Sequence, residues 1–195
     1  IPIITHPPKC QCYTYYMQIL VTGGAGYIGS HTIIELIKNN HSVVVVDNIA
    51  NSNAESIRRI EKIVNQPITF YKADLRDKSM LQEIFDKHTI DAVIHIAGLK
   101  AVGESVDKPL VYYRTNIDSA LTLLETMQEY NVKKLVFSSS ATVYGSAPFP
   151  YTESHAIGQG ITNPYGRTKY FIEEILNDVA KTDETLEFTA LRYFN

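Results

Sequence analysis

From Met17 onward, short runs rich in valine and isoleucine alternate with amphipathic segments, and this alternation limits the chain to very few folds. The expected strands are 18–22 (QILVT), 42–47 (SVVVVD), 67–71 (PITFY), 91–97 (DAVIHIA), 133–138 (KKLVFS) and 186–192 (LEFTALR). Helical periodicity recurs near 29–38, 53–64, 78–88, 109–130 and 164–181. Start signals support these helices. Ser52 and Glu55 have the spacing of a capping box, Asp77 can cap the third helix, and Pro109 and Pro164 suit first turns. Continuous apolar strands between helices imply a parallel sheet covered on both faces. Right-handed crossovers then give an α/β, doubly wound parallel sheet in strand order 3-2-1-4-5-6.

In that fold the first strand-to-helix turn matters most. Here it reads LVTGGAGYIGSH. Gly24-Ala25-Gly26-Tyr27-Ile28-Gly29 fits G-x-G-x-x-G, and Gly23, Gly26 and Gly29 fit the three-spaced variant. Backbone N–H groups at a helix N-terminus can approach a pyrophosphate only where no side chain intervenes. An acid, Asp47, ends the second strand 21 residues past Gly26. Such a carboxylate accepts hydrogen bonds from ribose hydroxyls and repels a 2′-phosphate, so the expected cofactor is NAD in a Rossmann-type domain. Asp74 in KADLRD ends the third strand, where it is either an adenine contact or a loop cap.

Ligands in doubly wound sheets lie beyond the carboxyl ends of the strands. The fifth strand runs into FSSSATVYG, which puts Ser138, Ser139 and Ser140 there, with Ser140 the best placed to hold a substrate. A loop of about 141–163, rich in Pro, Ser and Gly, follows; loops of that length in compact domains are usually functional. Beyond it, TNPYGRTKY sets Tyr165 and Lys169 four positions apart on one helix face. A phenol with a pKa of about 10 is a poor base at neutral pH, and lowering it by about three units takes about 4 kcal/mol. One charge at about 6.5 Å, in an effective dielectric near 20, supplies roughly 2.5 kcal/mol. Before any desolvation penalty on the phenolate, Lys169 and a positive nicotinamide ring together therefore suffice where neither does alone. Tyr165 is the expected general base for a hydroxyl in alcohol oxidation by hydride transfer, tuned by Lys169, which can also hold the nicotinamide ribose. His95, on a strand, is expected to be a packed core histidine.

These residues carry a resemblance. The glycine loop, Ser140 and Tyr165-x-x-x-Lys169 resemble the extended short-chain dehydrogenase/reductase superfamily. TGGAGYIGSHT, DNIANS, AGLKAVGES, SSSATVYG, NPYGRTK and LRYFN together resemble its UDP-glucose (UDP-galactose) 4-epimerase family, continuously over 17–195. The resemblance implies C4 epimerisation of a UDP-hexose with NAD and a homodimer paired through the helices near 109–130 and 164–181, whose second faces carry Leu121, Leu124, Ile175 and Val179. It implies NAD contacts from Asn48, Asn51 and Ser52 after Asp47, from Asp74 and Leu75, and from Ile96, Ala97, Gly98 and Lys100 along the groove. Thr115, where the family commonly has an Asn, and Ile96, where Phe is frequent, depart mildly from the pattern; Asn116 follows Thr115. Phe194 and Asn195 are implied to approach nicotinamide and substrate, with Lys100, Ser140 and Tyr165 also contacting substrate. Family members continue into a smaller substrate domain, so an incomplete chain is expected, and a non-catalytic NAD-binding fragment is one alternative. A nucleotide-sugar 4,6-dehydratase is another, but that chemistry needs an acid–base pair just after the fifth strand, where this chain has Ala141 and Thr142.

Composition narrows the partners. The 195 residues are 45% hydrophobic and 20% charged with a formal net charge of -3, which fits a cytoplasmic enzyme and argues against nucleic acid. No apolar run approaches the roughly 20 residues that span a bilayer. The two cysteines, Cys10 and Cys12, lie with His6 in a proline-containing leader, 1–16, that is expected to be extraneous or disordered. No metal site is expected.

Overall fold

Alternate residues of the central strands point to opposite faces of the sheet, and both sets are apolar, so both faces must be covered. The computed structural model of the protein describes residues 16–194. Cys10, Cys12, His6 and Asn195 lie outside the described residues. The strands are β1 (Gln18–Thr22), β2 (Ser42–Asp47), β3 (Thr69–Lys72), β4 (Ala92–His95), β5 (Lys134–Ser140) and β6 (Glu187–Tyr193). They form one parallel sheet in the order β3-β2-β1-β4-β5-β6, as the alternation predicts.

Among the described residues six helices flank the sheet: α1 (Tyr27–Lys38), α2 (Glu55–Val64), α3 (Lys78–Lys87), α4 (Val102–Asp107), α5 (Pro109–Glu129) and α6 (Pro164–Thr182). On one face Leu20, Val44, Val93, Leu135 and Phe137 meet Leu81, Ile84, Leu123, Met127, Ile172 and Leu176 from α3, α5 and α6. On the other, Ile19, Val21, Val43 and Val45 meet Ile33, Ile57 and Ile60 from α1 and α2. Each such side chain contributes about 1.5–3 kcal/mol by leaving water. Among the described residues no helix is long and apolar enough to cross a membrane.

Local departures have local causes. The Ser52–Glu55 capping box does not form: α2 starts after Ala54, Ser52 Oγ donates instead to Asp47, and Asn53 Oδ1 accepts the Glu55 amide. Asp77 does cap α3, accepting the Met80 amide at 3.2 Å. β4 stops two residues short of the expected 91–97: the Ile96 amide is shared between the Thr22 carbonyl and its hydroxyl, both at 3.2 Å, and the Ala97 amide turns to the hydroxyl at 3.3 Å. Helix α4 is too short for periodicity to reveal. The loop expected from 141 begins with a 3-10 turn, Ala141–Tyr144, in which the Thr142 amide donates to the Ser140 hydroxyl.

Candidate active site

The glycine loop joins β1 to α1 with its backbone in contact with neighbouring backbone. Gly23 has φ +70, and a Cβ there would stand 2.7 Å from the Ala97 nitrogen. A Cβ on Gly29 would stand 2.3 Å from the Gly23 carbonyl oxygen and 2.6 Å from the Gly24 Cα. Gly26, at the N-cap of α1, supplies no side-chain cap, so the first-turn amides remain open at the positive end of the helix. That cradle fits a pyrophosphate. Tyr27 is exposed, Ile28 half-buried.

Asp47 is 9% exposed at the end of β2. Its Oδ2 accepts from the Ala25 amide at 3.1 Å, and Oδ1 accepts from the Ile49 amide and the Ser52 hydroxyl, both at 2.8 Å. The carboxylate thus holds the glycine loop in shape while retaining lone-pair capacity for a ribose hydroxyl. Asn48 and Asn51 are exposed beside it. Asp74 forms a two-bond pair with Arg76 at 2.9 and 2.7 Å, and that hydrogen bonding holds its carboxyl down at about 2 against the opposing effect of burial. Leu75, implied to meet the cofactor, is buried in the core beneath that loop.

The segment 96–101 lies between the glycine loop and α6. Ile96 and Ala97 are half-buried, Gly98 and Lys100 exposed. Asn116, buried on α5, exchanges two hydrogen bonds with the Leu99 backbone at 2.8 and 3.0 Å and donates to Thr168 Oγ1 at 3.0 Å. Thr115, the position singled out from the sequence, is half-buried and makes none of these bonds. The buried Tyr112 fixes the far end, accepting from the Ala101 amide and donating to Glu104. Neither Asn116 nor Tyr112 carried a readable signal, since each is one more residue in a helical pattern.

His95 is a packed core residue as expected, 2.8 Å from Thr22 Oγ1, and burial pushes its imidazole down to about 3. The folded protein keeps it neutral while the unfolded chain protonates near 6.5, so acid favours unfolding. Its stability contribution is present above about 6.5 and lost as pH falls toward 3, at up to about 1.4 kcal/mol per pH unit. A His95→Gln variant should lack that slope when urea unfolding is followed from pH 7 to 4.

The serine run at the end of β5 meets the first turns of α6. Asn163 caps that helix, accepting the Gly166 amide at 2.8 Å, and Pro164 occupies the first turn. Lys169 is 5% exposed, and its ammonium donates to the Ser138 carbonyl at 2.6 Å. It lies 4.8 Å from the centre of the Phe137 ring and 5.9 Å from that of Tyr165. Ser140 Oγ accepts from Thr142 Oγ1 at 3.0 Å and also reaches the Tyr165 phenol. Phe194 is exposed beyond β6, facing Tyr144 and Tyr151 at 6.4 and 6.1 Å.

Burial raises the Tyr165 phenol above its ordinary value, and the Ser140 hydrogen bond opposes this only in part. Lys169 is itself pushed down to about 8, by burial first, with Glu173 pulling the other way. In the protein alone desolvation therefore prevails at the tyrosine. The Lys169 ammonium lies 5.9 Å from the Tyr165 ring centre, and the lowering expected from it together with a nicotinamide ring belongs to the filled site.

Residues 19–195 match the family described as NAD dependent epimerase/dehydratase. The UDP-glucose 4-epimerase of Yersinia enterocolitica is 55% identical over 180 residues, covering 92% of this chain and 53% of that protein. UDP-glucose 4-epimerase 2 of Arabidopsis thaliana is 55% identical over 182 residues, covering 91% and 51%. The crystal structure of UDP-glucose 4-epimerase from Bifidobacterium longum, in complex with NAD+ and UDP, superposes with a TM-score of 0.90 at 50% identity, over 91% of this chain and 53% of that one. The chain therefore spans about half the length of the curated relatives it matches.

Proposed function

Since this chain belongs to the NAD dependent epimerase/dehydratase family, we propose that it is the nucleotide-binding part of an enzyme that interconverts UDP-galactose and UDP-glucose at C4. One observation carries the reading most directly. Ser140, Tyr165 and Lys169 converge at the carboxyl end of β5, and Asn116 ties their helix to the segment that packs on the glycine loop. Relatives at 55% identity bearing that activity support it.

In this reading the open amides of α1 hold the pyrophosphate, and Asp47 holds the adenosine ribose and repels a 2′-phosphate. NAD, when bound, supplies a reversible hydride acceptor. Tyr165 takes the proton from the sugar 4-hydroxyl, Ser140 orients that oxygen, and Lys169 contributes the positive charge that lowers the phenol. The keto sugar then turns over in the cleft, and Tyr165 returns the proton to the oxygen once C4 is reduced on its other face. A hydroxyl beside the phenol and no carboxylate at Ala141 or Thr142 suit this better than elimination.

The proposal extends to a homodimer and a cytoplasmic site of action. Leu110 (77% exposed), Val111 (50%), Leu121 (40%) and Phe171 (40%) present apolar surface on α5 and α6. Leu124 instead packs toward the core, and Ile175 and Val179 are half-buried. The test is to incubate the full-length protein with UDP-galactose and no added oxidant. Accumulation of UDP-glucose without net NADH is expected, whereas steady release of NADH with free keto sugar would overturn the reading.

A further inference from the structure

Behind the tyrosine–lysine pair lies a charged cluster that the mechanism does not use. Glu173 is 2% exposed and sits one turn beyond Lys169 on α6. Arg192 of β6 grips its carboxylate, Nη2 donating at 2.7 Å and Nε at 3.1 Å. Ser139 of β5 donates its hydroxyl to the same carboxylate. The remaining arm of Arg192 donates to the Tyr144 hydroxyl at 3.0 Å, and its guanidinium lies 4.9 Å from that ring's centre. Consecutive serines thus have separate tasks. The Ser138 carbonyl takes Lys169, the Ser139 hydroxyl takes Glu173, and the Ser140 hydroxyl reaches Tyr165.

We propose that Glu173 is a positioning residue for the proposed epimerisation: its buried carboxylate, held by Arg192 and Ser139, locks α6 to β5 and β6 and provides the counter-charge that keeps Lys169 an ammonium. The inference deepens the reading given above and rests on it for its catalytic meaning. A full ion pair in a core is costly unless its partners are fixed, and a hydrophobic pair of similar volume is often as stable. The need for a negative charge beside a buried lysine explains its presence here.

The groups facing Lys169 are few. From α6 there are Tyr165 and Glu173; from β4 comes His95, kept neutral by burial; from β5 come the Ser138 carbonyl and the Phe137 ring. Arg192 reaches this set through Glu173. Among the described residues Glu173 is therefore the one anion in this set, and it acts in the direction that favours the protonated lysine.

The test reads Lys169 itself. In full-length protein labelled with ¹³C-lysine, the ε-carbon titration is assigned by its loss in Lys169→Arg. Glu173→Gln preserves shape but removes the charge, and the Lys169 midpoint should fall by about one pH unit or more. Glu173→Gln combined with Arg192→Met removes both members of the ion pair and leaves no guanidinium buried without its carboxylate, so it should fold even where the single variant does not. Its Lys169 midpoint should also lie below the parent's. In both, the pH at which NAD affinity begins to fall should move down with the lysine. A variant of lowered thermal stability but unchanged Lys169 midpoint would reduce Glu173 to a structural anchor and overturn the proposal. Failure of the parent protein to bind NAD or to epimerise would instead sink the functional reading, with the lysine midpoint still deciding the role of Glu173.

Discussion

Tyr165→Phe in the full-length protein is expected to lower the epimerisation rate by about 10²–10⁴-fold, the usual contribution of a positioned general base. The substitution removes one oxygen and keeps the ring, so the packing of the first turn of α6 should survive. NAD affinity, measured by calorimetry, should stay close to the parent's, because neither the glycine loop nor Lys169 is touched. The phenol is raised by burial in the protein alone, so its basicity must come from charge gathered around it when the site is filled. Lys169 is one such source on this chain, with its ammonium 5.9 Å from the ring centre. A Tyr165→Phe enzyme with parental turnover would move the base elsewhere and leave the tyrosine–lysine pair as an ordinary helix contact.

Gly29→Ala should remove most NAD binding. The added methyl carbon would lie 2.3 Å from the Gly23 carbonyl oxygen and 2.6 Å from the Gly24 Cα, both backbone atoms that cannot rotate aside. Either the loop or the start of α1 must shift, and overpacking of this kind costs about 1–3 kcal/mol. The displaced amides are the ones expected to meet the pyrophosphate, so the loss should appear as about a 10–100-fold weaker affinity, at about 1.4 kcal/mol per tenfold. Calorimetry with NAD, paired with urea unfolding, separates loss of the cradle from loss of the fold. Parental affinity in Gly29→Ala would show that the amides of α1 do not carry the anion.

Much of this protein is determined by the sequence read alone, wherever the controlling interaction repeats along the chain. The alternation of Val-rich strands with 3.6-period helices was enough to predict the parallel sheet and its order, because each element's buried face depends on its own periodicity. The glycine spacing, Asp47 at the end of β2, and Tyr165 with Lys169 on one helix face were legible for the same reason. Tertiary structure alone decided what depends on distant partners. Glu173 and Arg192 read as ordinary charges of a helix and a strand until the fold brings them within 2.7 Å. Asn116 rather than Thr115 turns toward the 96–101 segment, and Leu75 goes into the core, because helix rotation and loop path are settled by packing. Ser52 gives up its capping role because Asp47 lies within its reach after β2 closes against β1. The direction of the Tyr165 shift in the protein alone is decided by packing for a related reason. Spacing along a helix fixes how far apart two charges lie, but desolvation is set by everything packed around them, and that sum exists only in the folded protein.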